Sequence, residues 1–84
     1  MKITYDPAAN AAYIYLTDDP NRKVGWRAGG NGKTINADGN YCVMLDYDAE
    51  GRLCGIEILN AKQTLCPELL AEATTLKEPP MTDL

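Results

Sequence analysis

Carboxylates are the only reactive side chains that this chain arranges in a motif-like spacing. Asp46, Asp48, Glu50 and Glu57, with Gly51 between, fall close to a calcium loop. That loop takes oxygen ligands at positions one, three, five and twelve with Gly at six, and the single departure is Glu at the fifth. A calcium loop curls between helices, however, whereas the flanks here alternate with period two and are rich in Val, Ile, Leu and Tyr. On strands, Glu57 sits opposite Val43, several residues from the turn tip and out of reach of an ion held by Asp48 and Glu50. The spacing therefore predicts a solvated acidic turn, with no metal and no cofactor.

Two further patterns suggest phosphate chemistry. Gly29 and Gly30, followed by Gly32-Lys33-Thr34, hint at a phosphate loop, but Arg27 stands where the Walker pattern needs its first Gly. The turn residues at 36–40 also replace the helix that should meet the phosphate. A flexible hairpin loop is the expectation for this stretch. Arg22, Lys23, Arg27 and Lys33 surround Trp26 with no acid from 21 to 37, a composition suited to holding phosphates while the indole stacks on a base. The whole chain carries twelve Asp and Glu against eight Lys and Arg, a net charge of -4, which weighs against nucleic acid and against an anionic membrane.

The omissions argue against catalysis. With no His and no Ser, the chain lacks the usual general base near neutral pH and every Ser-His arrangement. Cys42, Cys54 and Cys66 are odd in number and have no obvious activating neighbour, so they read as reduced, buried hydrophobes. No catalytic residue is assigned and the protein is expected not to be an enzyme. Glu57, set among apolar neighbours, is a candidate contact to a partner or ligand.

These side chains must be positioned by a hairpin over residues 41–59. Asp48-Ala49-Glu50-Gly51 suits a type I turn closed by a left-handed Gly, so that Asp48 pairs with Arg52. Counting outward without interruption sets Tyr47 opposite Leu53, Asp46 opposite Cys54, Leu45 opposite Gly55 and Met44 opposite Ile56. One face then carries Val43, Leu45, Tyr47, Leu53 and Leu59 with Glu57, and the other Cys42, Met44, Cys54, Ile56 and Ile58. Both faces look apolar and both need cover. A chain of 84 residues builds a marginal core, so one helix is expected on one face and a second copy on the other, with Met44, Cys54, Ile56 and Ile58 at the oligomer interface.

Elsewhere, residues 2–5 and 12–17 read as strands joined by a turn at 6–10, and residues 22–28 as a third strand. Leu65, Leu69, Leu70, Ala73 and Leu76 recur at helical spacing behind Pro67, a good first helical residue. The expected fold is α+β: an antiparallel sheet of about five strands with one C-terminal amphipathic helix, homo-oligomeric, in a single domain over 1–77 with a flexible tail at 78–84. No apolar run is long enough to span a membrane, and the N-terminus lacks the apolar core of a signal peptide, so a cytoplasmic location is expected.

Tyr5-Asp6-Pro7 with residues 11–16 (AAYIYL), and then residues 45–61 (LDYDAEGRLCGIEILNA), resemble the bacterial family known as domain of unknown function 2283. The resemblance implies a small β-rich domain without assigned catalytic residues, some of whose members stand beside toxin-like proteins as antitoxins. Ala8 and Asn10 replace the family's usual acidic residues in the first turn, and the connection at 29–40 is longer. The functional expectation is a non-enzymatic protein-interaction module, antitoxin-like, acting as a homo-oligomer with room for a heterologous protein partner. The alternative is a small-ligand binder whose groove is lined by Tyr13, Tyr15, Trp26 and Tyr47, with Glu57 as a polar contact.

Overall fold

β-branched and aromatic residues flank each turn, and each such run forms a strand. The computed structural model describes residues 2–18 and 32–76. In chain order the elements are β1 (Lys2–Asp6), β2 (Ala11–Tyr15), β3 (Lys33–Asn36), β4 (Val43–Tyr47), β5 (Leu53–Leu59), α1 (Ala61–Thr64), α2 (Pro67–Glu72) and β6 (Thr74–Thr75). They form a mostly sheet α+β fold whose six described strands run in the order β3-β4-β5-β2-β1-β6. All pairings are antiparallel except β1 with β6. The expected strand at 22–28, its Trp26, and the expected tail at 78–84 lie outside the described residues.

The turn between β4 and β5 forms as its sequence predicts. Gly51 donates its amide to the Asp48 carbonyl at 3.0 Å, Asp48 donates to the Arg52 carbonyl at 2.9 Å, and Gly51 takes φ 81°, a conformation that glycine enters without strain. Beyond the turn the register departs from the uninterrupted count. Between Asp46 and Tyr47 the pairing shifts by one residue, so Asp46 faces Gly55, Leu45 faces Ile56, Met44 faces Glu57 and Val43 faces Ile58. Cys54 is the extra residue, a bulge that turns its side chain inward to 5% exposure. A one-residue slip exchanges the two faces of a strand. The hairpin is therefore not apolar front and back: Val43, Leu45, Ile56 and Ile58 share one face, and Met44, Asp46, Gly55 and Glu57 the other.

Cross-strand registers extend this sorting over the sheet. Ile3, Ile14, Ile56, Leu45 and Ile35 are successive partners from β1 to β3, forming one aliphatic row. Beside it runs the row of Tyr5, Ala12, Ile58 and Val43. The helices cover this second row: Ala12, Ile58 and Ala61 are the buried centre, with Tyr5, Val43, Ile56, Leu65 and Leu70 packed around them.

The C-terminal region differs from the single helix that its spacing predicts. Asn60, at φ 52°, starts a one-turn helix, α1; Leu65 and Cys66 are extended; and Pro67 opens α2 as its first residue. After Glu72 the chain extends again, β-branched Thr74 and Thr75 pair alongside Thr4 and Tyr5, and Leu76 donates to the Tyr5 carbonyl at 2.7 Å. The edge of β1 offers a ladder of hydrogen bonds to residues that are poor helix formers, and the ladder wins. Asn10 ties the first turn to α1. Its carbonyl accepts from Ala61 at 2.9 Å, and its side chain accepts from Tyr5 and Lys62 and donates to Gln63.

Lys33 and Thr34 open strand β3 rather than lying in a hairpin loop, and Gly29 and Gly30, expected in that loop, lie outside the described residues. At Gly32 a Cβ would stand 1.8 Å from the Tyr47 carbonyl oxygen, a backbone approach that no other residue permits. Between β3 and β4, the exposed Asp38 carboxylate accepts from the amides of Asn40 and Cys42. Slight desolvation would raise its pKa, but the amides of Asn40, Val43 and Cys42 and its own hold it below the ordinary value.

Candidate functional site

The face opposite the helices carries the polar chemistry. Two rows cross it: Lys2, Tyr15, Gly55, Asp46 and Thr34, and beside them Thr4, Tyr13, Glu57, Met44 and Asn36. Asp46 is the centre, with only 1% exposure, and it is the largest fully buried side chain among the described residues. One carboxylate oxygen accepts from the Thr34 hydroxyl at 2.5 Å, the other from the Tyr13 hydroxyl at 2.6 Å. Short bonds of this kind are expected where the acceptor is a carboxylate.

Gly55 makes the Tyr13 bond sterically possible. β5 lies between the strands of Tyr13 and Asp46, so the tyrosine must cross it, and a Cβ at position 55 would fall 2.1 Å from the phenolic oxygen. The glycine is thus a slot for the ring. Tyr13 and Tyr15 stand with ring centroids 4.7 Å apart at 54°, and the Lys2 ammonium lies 5.1 Å from the Tyr15 centroid, within cation-π range.

The acidic turn is a separate structure. Asp48 is 4% exposed; one oxygen accepts from the amides of Glu50 at 3.0 Å and Arg52 at 2.9 Å, while the Cys54 thiol approaches the other at 3.7 Å. Asp46 and Asp48 thus serve the sheet and the turn respectively. Among the described residues no three His, Cys, Asp or Glu side chains converge to hold a metal ion.

The remaining candidates are divided by the shifted register. Tyr13, Tyr15 and Glu57 come together on the polar face, with Met44 beside Glu57. Tyr47 follows Asp46 in β4 and points to the other side. Ile56 and Ile58 belong to the aliphatic face, where Ile58 is 3% exposed beneath the helices, and Cys54 is buried at the bulge. Met44, Cys54, Ile56 and Ile58 therefore do not form one surface. The sequence alone points to neither Thr34 nor Gly55, and it groups Asp46 with the acids of the turn. The available signal was an Asp inside an apolar strand run, a position that tolerates a carboxylate only when it is hydrogen-bonded.

A family model described as Protein of unknown function (DUF2283) matches residues 2–62, from the start of β1 into α1. The chain belongs to the DUF2283 family. No curated protein and no solved structure matches the chain. The DUF2283 match thus contains both the Tyr13-Asp46-Thr34 cluster and the bulged hairpin, and ends before α2. Among the described residues no helix is long and apolar enough to cross a membrane.

Proposed function

We propose that this DUF2283 chain is a non-catalytic protein-interaction module that works as a homo-oligomer in the cytoplasm. The observation behind this reading is the unfinished aliphatic face. The short helices α1 and α2 cover the row through Ile58, but Leu16, Ile35 and Leu53 remain about two-fifths exposed at 41%, 40% and 41%. Burying what remains of each is worth roughly 1 kcal/mol, enough to favour a partner without requiring one for folding. The polar cluster supports the non-catalytic half of the reading. Both oxygens of Asp46 are taken by hydroxyl donors within the sheet, as suits a structural tie, and no His is present to move protons.

An antitoxin-like role toward a second protein is the specific form that the family resemblance suggests. Size-exclusion chromatography with light scattering tests the assembly: a mass of at least twice 9.2 kDa is expected, and a folded species at 9.2 kDa at every concentration rejects it. A second reading, binding of a small ligand, draws on the tilted ring pair of Tyr13 and Tyr15 beside Glu57, with Tyr15 36% exposed. Quenching of tyrosine fluorescence by an aromatic probe, lost in Tyr15→Ala, would favour it over the first.

A further inference from the structure

The aliphatic row ends on β3, and its exposure is greatest there. Ile3, at the β1 end, is 7% exposed, whereas Ile35 is 40% exposed. The two edges of the sheet also differ: β6 closes the edge at β1, but no described strand pairs with the outer edge of β3. The Ala37 amide donates to the Val43 carbonyl at 2.8 Å, which marks a hydrogen-bonded pair with β4. Hydrogen-bonded pairs recur every second residue, so Ile35 is bonded likewise to Leu45, and the backbone groups of Thr34 and Asn36 point away from β4.

We infer that β3 joins the β3 of a second copy, antiparallel and centred on Ile35, so that two sheets become one; this rests on the self-association proposed above. The register is selected by the chemistry of the edge. Centred on Ile35, each Thr34 lies opposite the other copy's Asn36, and their outward amides and carbonyls complete four hydrogen bonds. Ile35 meets Ile35, which joins the two wet ends of the aliphatic row on one face. Lys33 lies opposite Ala37, so no like charges meet. A slip of one residue would set Ile35 against Thr34, placing an aliphatic side chain against the polar face. A second copy fits better than an unrelated strand, because one symmetric contact satisfies the outward backbone groups of both β3 strands and both Ile35 side chains at once.

Cross-linking tests the geometry. Opposed residues in a non-hydrogen-bonded antiparallel pair have Cα atoms about 4.5 Å apart, within disulfide range, whereas the two Lys33 residues would be about 13 Å apart. In a Cys66→Ala background, which removes the exposed thiol, Ile35→Cys is expected to give a covalent dimer under mild oxidation and Lys33→Cys none. In the parent chain, amide exchange at Thr34 and Asn36 should accelerate about tenfold or more on dilution to monomer. A chain that is dimeric by sedimentation but does not cross-link through position 35 overturns the edge contact and leaves self-association standing. Protection of Thr34 and Asn36 that does not depend on concentration also overturns it, since the edge would then be covered within one chain. A parent chain that stays monomeric rejects both readings together.

Discussion

The two faces of this sheet are stabilised by opposite means. On one, Val43, Ile56, Ile58 and Ala12 lie under α1 and α2 and gain from apolar burial. On the other, the best-buried group is the Asp46 carboxylate, held by the Thr34 hydroxyl of the adjacent strand and by the Tyr13 hydroxyl across Gly55. The difference shows how a small domain divides its sequence. Apolar contact is non-directional and tolerates an incomplete cover, leaving Leu16, Ile35 and Leu53 partly wet. A buried carboxylate does not, because each lone pair left without a donor is costly.

Substitutions on each face break this comparison to different depths. Ile58→Asp places an unpaired charge under the helices and should abolish the folded circular-dichroism spectrum, a loss of more than about 4 kcal/mol. Asp46→Ala strands two hydroxyls and should cost about 3 kcal/mol in urea titration, while Tyr13→Phe should cost about 1 to 2. A double-mutant cycle of the two should show that the losses are not additive. Gly55→Ala drives a methyl into the Tyr13 ring and should cost about 2 kcal/mol, and combining it with Tyr13→Phe should recover little because the ring itself is in the way. Glu50→Ala, on the exposed turn, should stay within about 0.5 kcal/mol of the parent and leave the melting temperature unchanged by calcium.

Much of this architecture is legible in the sequence, and the failures have a common cause. The first two strands, the 48–51 turn with its left-handed Gly51 and the start of α2 at Pro67 follow from local chemistry: proline's fixed φ, glycine's freedom and period-two alternation. The bulge at Cys54 does not, because it depends on how Asp48 binds the amides of the turn and on where Asp46 can find donors. That single extra residue reverses the expected face of Val43 through Asp46 relative to β5 from Gly55 onward, while Tyr47 still faces Leu53. It also makes amphipathic a ribbon whose sequence looks apolar on both sides, and the uncovered apolar surface lies at the open end of the aliphatic face. The last helix ends earlier than its spacing predicts for a similar reason, since the edge of β1, distant in sequence, recruits Thr74 and Thr75.

The sorting of side chains by the bulge is the claim on which both faces depend, and proton NMR reads it directly. The Leu59 amide donates to the Cys42 carbonyl, so Val43 with Ile58 and Leu45 with Ile56 are non-hydrogen-bonded pairs whose Hα atoms lie close together. Strong Hα–Hα cross-peaks are predicted for 43 with 58 and for 45 with 56. Cross-peaks joining 43 with 57 and 45 with 55 instead would restore the unbulged register and contradict this account.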